Sequence, residues 1–259
     1  MQVIDIKNAA PTRFTILIYG PSGAGKTQFS AGFPRPFFIA DAVEGGWETI
    51  RTMDPGDFYE PGIYPEVVGI ENFSEAQAQV EVLKKRIVTD PTKAPKTVVI
   101  DSLTFLSMTL QDNLLRGGMD VDKDRWAFYR ALMNRLRAFM ISVHQLNINV
   151  IWTALAKDSD SSPGPLIAGQ TGTTLPAAVS LYFYMRVFQP NLQAEPIHEI
   201  RTRTYGGNPV RARKRLPDPL VPTYRALYEA YTRPNGAQAA SPVLVPARTV
   251  KQPAPVVRR

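Results

Sequence analysis

The sequence of 259 residues contains no cysteine and only two histidines. Without cysteine the chain has no disulfides, thiolate metal ligands or cysteine nucleophiles, which excludes disulfide scaffolds and thiol enzymes. His144 and His198 lie far apart in the sequence, without the close spacing of histidine metal ligands. A zinc enzyme is therefore not expected.

Long apolar runs and a signal peptide are also missing. The longest stretch without a charged residue, residues 161–185, is interrupted by three prolines and therefore does not predict a membrane span. Residues 1–10 lack the basic segment followed by an apolar one that is typical of a secretory signal. We expect a soluble, cytoplasmic protein that does not contact a membrane.

Charge is unevenly placed along the chain. Hydrophobic residues make up 44% of the sequence and charged residues 20%, which is enough apolar material for a sizeable core. Residues 1–200 carry 18 basic and 21 acidic side chains, whereas residues 201–259 carry 12 and 2. This asymmetry indicates a polyanionic partner or a basic tail, with a solvated basic surface as the alternative.

Apolar runs alternate with amphipathic segments along the body of the chain. The runs are apolar on both faces, which is typical of a parallel sheet covered by helices. Predicted strands are residues 14–19, 37–41, 66–70, 97–101, 149–155 and 181–188. Predicted helices are residues 74–88 (opening on a capping box at 74–77), 103–115, 124–146 (capped by Asp122 or Asp124) and 223–231. The sequence predicts an α/β fold with a mostly parallel central sheet flanked by helices.

The end of the chain has a different pattern. Residues 200–215, with Gly206 and Gly207 at a turn, predict a C-terminal antiparallel hairpin. From residue 232 the chain holds five prolines and no aromatic residue, which predicts a disordered basic tail rich in Pro, Ala and Arg. The predicted organisation is one domain over residues 1–231 and a tail over residues 232–259.

Helical spacing within residues 124–146 predicts one apolar face turned to the core. The residues that would form this face are Trp126, Tyr129, Met133, Leu136, Phe139 and Met140. A core face is a better interpretation of this stripe than a binding site.

A phosphate-binding loop is the most specific motif. The eight residues matching G-x-x-x-x-G-K-[ST] are Gly20, Pro21, Ser22, Gly23, Ala24, Gly25, Lys26 and Thr27. Glycines let backbone N–H groups wrap an anion, and the helical turn that begins at Gln28 adds its positive end. Lys26 is expected at the β- and γ-phosphates and the Thr27 hydroxyl at Mg²⁺. The predicted cofactors are ATP and Mg²⁺, with Gln28 included in the nucleotide-binding set.

Acidic residues complete the predicted site. The apolar run at residues 97–101 ends in Asp101, where a carboxylate would emerge beside the phosphate loop to hold Mg²⁺. Hydrolysis also needs a group that orients water. Glu44, just past the second strand, is the first candidate, with Asp41 as its competitor and Glu48 as a third; a loop carboxylate without a catalytic role is the alternative for Glu44.

Four segments together resemble the RecA-type ATPase core, namely GPSGAGKT, FFIADAVEGG, TVVIDSL and NVIWTALAKD. Over residues 12–230 the chain is similar to bacteriophage RecA-like ATP-binding proteins that act as single-strand annealing recombinases. The resemblance implies ATP hydrolysis, binding of single-stranded DNA, recombination, a single-strand-binding protein as a partner, and the host cytoplasm. It places Glu44 as the catalytic glutamate, Thr153 at the nucleotide sensor, and a DNA-contacting loop at residues 161–176.

Six basic residues lie in residues 201–215, which we call the basic segment: Arg201, Arg203, Arg211, Arg213, Lys214 and Arg215. Strand alternation predicts that they share a face. The resemblance implies that Arg213, Lys214 and Arg215 complete the ATP site of a neighbouring subunit. DNA phosphates or solvent are the alternatives for this face, and Tyr205 beside it is a candidate for stacking on a base.

Besides Lys26, the phosphoryl group needs a second cation, which no residue near the loop supplies, so we expect a head-to-tail homo-oligomer, a ring or a filament. The alternative function is a helicase-loader-like or packaging motor ATPase. A small-molecule kinase is less expected, because such an enzyme usually has an Arg-rich lid and an acceptor-binding Asp soon after the phosphate loop.

Overall fold

The computed structural model of the protein describes residues 13–42, 44–157, 163–168, 171–191 and 193–233. Within these ranges the strands are β1 (Thr15–Gly20), β2 (Pro36–Asp41), β3 (Glu66–Ile70), β4 (Thr97–Asp101), β5 (Asn149–Leu155), β6 (Leu181–Phe188), β7 (Ile197–Arg201) and β8 (Arg211–Ala212). The helices are α1 (Lys26–Ala31), α2 (Trp47–Arg51), α3 (Phe73–Thr89), α4 (Leu103–Arg116), α5 (Arg125–His144), α6 (Thr171–Ala178) and α7 (Tyr224–Thr232), with a short 3-10 turn at Pro55–Asp57.

One mixed sheet joins all of these strands. Its order is β3-β2-β4-β5-β1-β6-β7, and β8 pairs with β6 outside this path. The pairings from β3 to β6 are parallel, whereas β7 and β8 are both antiparallel to β6. The predicted α/β fold with a mostly parallel sheet is confirmed, and β6 with β7 forms the antiparallel hairpin.

The predicted turn at residues 206–208 is present, but its flanking strands do not pair with each other. Tyr205 and Asn208 exchange backbone hydrogen bonds of 3.3 and 2.9 Å across Gly206 and Gly207. On either side of that turn, β7 and β8 each pair with β6, at residues 184–188 and 181–182 respectively. The prediction of a hairpin within residues 200–215 was therefore wrong in its pairing, because the free edge of β6 is long enough to take both segments.

Helices cover both faces of the sheet. Alternate residues of each central strand enter opposite clusters, as Leu17 and Ile16 do in β1. Apolar side chains of α3, α4 and α5 pack on one face, and those of α1, α2 and α7 pack on the other. This double coverage explains why the strand sequences are apolar throughout.

Two helix details differ from the predictions. The α3 N-cap is Asn72, whose side chain accepts from the N–H of Glu75 at 3.0 Å, because Glu75 reaches back to bond the Asn72 side chain. The predicted box at Ser74 was two residues late. In α5, Trp126 is 80% exposed. The buried face of α5 consists of Phe128, Leu132, Leu136, Phe139, Met140 and Val143.

The Asp124 side chain caps α5 by accepting from the N–H of Ala127 at 2.8 Å, in agreement with the prediction.

Other predictions fall partly outside the described residues. Within the predicted loop at 161–176, the backbone of residues 163–168 returns along the end of β5, and residues 171–176 belong to α6. The tail from residue 234 lies outside the described residues. Every helix that the structure describes is too short or too polar to cross a bilayer.

Candidate nucleotide site

The phosphate loop joins the end of β1 to the start of α1. Gly23 and Gly25 adopt φ angles of 75° and 94°, in the left-handed region that glycine enters without a steric penalty. A side chain at Gly20 would bring its Cβ to 2.0 Å from the carbonyl oxygen of Met185 on β6. Glycine is therefore required at these positions, both to curve the loop and to let it lie against the sheet.

Lys26 lies across this loop and is 8% exposed. Its Nζ donates to the carbonyl oxygens of Gly20 and Pro21, at 3.0 and 2.8 Å. Burial lowers the pKa of the Lys26 ammonium, and the nearby carboxylates of Asp101 and Glu44 oppose that effect. An ammonium has three donors, so the side chain can bond a phosphate oxygen while the loop positions it.

Asp101 connects the phosphate loop to β5. One carboxylate oxygen accepts from the Thr27 hydroxyl at 2.7 Å, and the other accepts from the Thr153 hydroxyl at 2.6 Å. Since β5 lies between β1 and β4, Thr153 stands between the strand that leads into the loop and the strand that ends at Asp101. The three residues form a continuous hydrogen-bonded unit, which we call the Asp101 triad.

The donor set of this triad fits Mg²⁺. The Thr27 hydroxyl and the Asp101 carboxylate are hard oxygen ligands of the kind that Mg²⁺ prefers. The backbone of Gly46 lies close to the same oxygens. A side chain at this position would place its Cβ 3.2 Å from Asp101 Oδ2 and 3.5 Å from Thr27 Oγ1. The described residues contain no cluster of three or more His, Cys, Asp or Glu suited to a metal. A cation at this site would thus use few protein ligands.

Three carboxylates lie at or after the end of β2, and the structure places them differently. Glu44 is exposed, but its carboxyl lies near Asp101; partial burial raises the pKa of this carboxyl, and the nearby Ser102 side chain opposes the shift. Asp41 is 4% exposed and accepts the backbone N–H of Glu44 at 3.0 Å. Glu48 is exposed in the first turn of α2. Glu44 thus faces the triad, and Asp41 supports the turn that carries Glu44.

Comparison with known proteins identifies the family. The pattern of a family described as an AAA domain matches residues 12–210, about three quarters of the chain. The chain belongs to this family of P-loop ATPases. A KaiC-like protein from the hyperthermophilic archaeon Pyrococcus horikoshii OT3 is similar in structure, with a TM-score of 0.44 and 15% identity over 73% of this chain and 78% of that one. No curated protein matches the chain.

Three basic residues of the ATPase directly follow β8, at the end of the strands opposite the phosphate loop: Arg213, Lys214 and Arg215. Ala212 pairs with Leu181, which in turn pairs with Ile16, four residues before Gly20. At about 3.3 Å per residue these basic side chains begin roughly 13 Å from the loop. They do not reach the nucleotide site of their own chain.

Lys214 already has partners within the ATPase. Its Nζ donates to the backbone carbonyls of Tyr231 and Arg233, at the C-terminal end of α7, where a cation also offsets the negative end of the helix. Arg213 and Arg215 are exposed. Of these three residues, Arg213 and Arg215 are therefore the two available to a second molecule.

The predicted single face of six cations in the basic segment was wrong. Arg201 lies in an ion-pair network, 3.3 Å from Glu199 and 2.8 Å from Asp218, and Arg186 pairs with the same Glu199 at 2.5 Å. Arg211 donates to the carbonyls of Pro176 and Val179. The strand that would align these side chains ends at Arg201, so the six cations do not share one face.

The Tyr205 ring also contacts cations within the chain. The guanidinium groups of Arg186 and Arg201 lie over its ring, at 4.0 and 4.5 Å from the ring centre. The ring is 38% exposed. Cation–π contacts of this kind already use the aromatic surface that base stacking would need.

His198 is a residue of the site region that the sequence did not indicate. It lies on β7, and its Nδ1 is 2.8 Å from the carbonyl oxygen of Ala24 in the phosphate loop. The two residues are 174 positions apart, so only the sheet topology brings them together. In the sequence a single histidine on an edge strand carries no motif that points to the loop.

Proposed function

We propose that this protein is a Mg²⁺-dependent ATPase that binds single-stranded DNA and supports annealing and recombination. The observation that carries the ATPase part is the Asp101 triad beside the Lys26 ammonium. Thr27 and Asp101 would hold Mg²⁺, Thr153 orients the Asp101 carboxylate, and Lys26 with the loop amides would hold the phosphates. Bound Mg²⁺ supplies positive charge that offsets the phosphate oxygens.

Glu44 is the residue that we assign to orient and deprotonate the attacking water. Its carboxyl lies near Ser102, whose backbone continues directly from Asp101, so the proposed base lies beside the turn that carries the metal-binding carboxylate. A raised pKa improves a carboxylate as a base, as long as the working pH stays above that pKa. Asp41 acts through the turn, because its carboxylate holds the backbone N–H of Glu44.

The position of the remaining cations supports head-to-tail assembly. Arg213 and Arg215 are exposed at the sheet edge opposite the phosphate loop, so a copy docked onto that edge with its own nucleotide site would receive them. Closed rings and open filaments both repeat such an interface. We assign the role of completing a neighbour's site to Arg213 and Arg215, and a structural role to Lys214.

The DNA-binding part of the proposal rests on charge and on the resemblance to recombinases. Residues 201–259 carry 12 basic and 2 acidic side chains. Arg201 is ion-paired, and Arg211 and Lys214 are bound to backbone carbonyls. The other exposed basic residues in the described part of this region are Arg203, Arg213, Arg215, Arg225 and Arg233. The tail adds Arg248, Lys251, Arg258 and Arg259. Such charges would contact phosphates without reading sequence.

ATP turnover with and without single-stranded DNA tests this function. We expect hydrolysis by the full chain to rise when single-stranded DNA is added, less so with duplex DNA, and to be absent in the Lys26→Ala variant. A hydrolysis rate that neither form of DNA changes would reject the DNA part and favour the motor or helicase-loader alternative. No hydrolysis under any condition would reject the ATPase part.

A further inference from the structure

The phosphate loop is supported from outside by the antiparallel hairpin of β6 and β7. A Cβ at Gly25 would lie 3.0 Å from Met185 Cε and 3.1 Å from His198 Nδ1, so these two side chains touch the loop backbone. Val187 and His198 are cross-strand partners, and strand alternation places them on the same face as Met185 and Ile200, which pack in one cluster with Phe29 of α1. The loop therefore lies between α1 and the β6–β7 edge of the sheet.

The His198 imidazole makes a directional contact with this loop. Its Nδ1 is 2.8 Å from the Ala24 carbonyl oxygen, and because a carbonyl only accepts, the ring donates its Nδ1–H. Ala24 itself is fully buried. The geometry is that of a well-formed hydrogen bond.

This bond fixes the orientation of one peptide group. In a trans peptide the C=O and the following N–H point in opposite directions. With the Ala24 carbonyl turned to His198, the N–H of Gly25 points away from β7, towards the side of the loop that wraps an anion. Gly25 has a φ of 94° and no side chain to resist a peptide flip, so an external partner is needed to hold this orientation.

We propose that His198 is a positioning residue for nucleotide binding, which keeps the Gly25 amide directed at the phosphate group of the ligand. Its own strand is well placed to do this, because the residue that follows it, Glu199, is held by Arg186 and Arg201. The ion-pair network on one face of β7 thereby stabilises the contact made on the other. The proposal rests on nucleotide binding at the loop and is independent of DNA.

Two nearly isosteric substitutions isolate the hydrogen bond. His198→Asn keeps an N–H donor close to the position of Nδ1, whereas His198→Leu has a similar shape and no donor. With ADP and Mg²⁺ as the probe, we expect the Leu variant to bind about three- to tenfold more weakly, the range for one hydrogen bond, and the Asn variant to bind nearly as wild type. Val187→Ala, which truncates the 40% exposed cross-strand partner, is the matched control.

Two further readouts separate positioning from packing. In turnover, His198→Leu should raise KM for ATP and leave kcat nearly unchanged, because the contact exists in the ground state and in the transition state alike. In the nucleotide-free protein, backbone amides of residues 24–27 should exchange faster in the Leu variant than in the Asn variant, at equal melting temperature. Equal ADP affinity and equal exchange in the two variants would overturn the proposal. If the wild type does not bind ADP, the proposed function fails, and the exchange comparison still decides the role of His198.

Discussion

The nucleotide site and the basic segment are both rich in charged residues, but the fold brings the charges together in the first and separates them in the second. At the carboxyl ends of β1, β4 and β5, the charges of Lys26 and Asp101 converge within one hydrogen-bonded site. Along residues 201–215 the cations separate. Arg201 pairs with acids, Arg211 and Lys214 bond backbone carbonyls, and Arg213 and Arg215 face solvent.

This difference comes from what fixes each side chain. In the loop, the backbone path is set by glycines within eight consecutive residues, so neighbours in sequence are neighbours in the site. In the basic segment, the side-chain directions depend on where a strand ends and which element lies opposite. A run of like charges in the sequence therefore does not by itself predict a binding surface. Tertiary contacts decide which of its side chains are available to a partner.

Removing the loop cation should have the largest effect. Lys26→Ala deletes the ammonium that lies among the loop carbonyls, and we expect ATP affinity to fall by about 10²-fold or more, with turnover lost. Isothermal titration of the folded variant checks this result. Lys84→Ala, an exposed lysine on α3, is the control and should bind normally. Wild-type affinity in Lys26→Ala would reject the site.

Neutralising the exposed pair in the basic segment should reduce turnover nearly as much. If Arg213 and Arg215 serve a neighbouring site, the double Ala variant should lose up to ~10³-fold in kcat, the lower range for an arginine supplied in trans. Arg225→Ala, an exposed arginine on α7, should not. Lys214 is left intact so that α7 keeps its C-terminal contact.

Mixing makes the test of assembly specific. Lys26→Ala and the Arg213/Arg215 double variant are each expected to be inactive alone, but a shared interface would combine an intact loop with an intact arginine pair. Partial recovery of ATPase activity in the mixture supports sites that act in trans. A mixture as inactive as its parents, with monomeric mass in ATP, would contradict head-to-tail assembly.

The same contrast separates what the sequence could predict from what it could not. Strands β3 to β6 were predicted with their observed bounds, because short apolar runs bounded by polar or turn residues are typical of the strands of a covered parallel sheet. Thr27 and Asp101 were predicted together because the loop motif and the strand motif carry the same chemistry. The contact of His198 with Ala24 and the network of Arg201 depend on the antiparallel edge, which no local pattern specifies.

Glu44 and Asp41 test whether the turn after β2 is catalytic or only structural. Glu44→Gln should bind ATP nearly normally and hydrolyse it about 10²-fold more slowly, the scale for a missing general base. Asp41→Asn keeps an oxygen that accepts the Glu44 N–H, so a smaller loss is expected. Glu48→Gln is the control. An active Glu44→Gln with an inactive Asp41→Asn would assign the base to Asp41.

The pH dependence of turnover gives the same assignment a second readout. A general base works in its ionised form, so the rate should fall as the pH drops through the pKa of that base. Burial raises the pKa of the Glu44 carboxyl, so this acid limb should lie above the range of an ordinary glutamate. The limb should disappear from the residual activity of Glu44→Gln. An unchanged limb in that variant would mean that another group titrates.

The smallest expected effect is on the salt dependence of DNA binding, and it contrasts two arginines two residues apart. Each phosphate neutralised on single-stranded DNA contributes about −0.7 to the slope of log K against log[salt]. Arg203 is exposed, so Arg203→Gln should reduce the magnitude of the slope by about that amount. Arg201→Gln should leave the slope unchanged, because this side chain is bound to Glu199 and Asp218.

The Arg201 substitution should instead lower the free energy of unfolding, by about 3 kcal/mol, since it leaves the largely buried Asp218 without its cationic partner, while Glu199 keeps Arg186. Thermal or urea unfolding measures that loss, and fluorescence titration of labelled DNA at several salt concentrations measures the slopes of both variants. Deleting residues 234–259, which removes Arg248, Lys251, Arg258 and Arg259, should reduce the slope further. Equal slopes for Arg201→Gln and Arg203→Gln would mean that exposure does not decide which cations of the basic segment meet DNA.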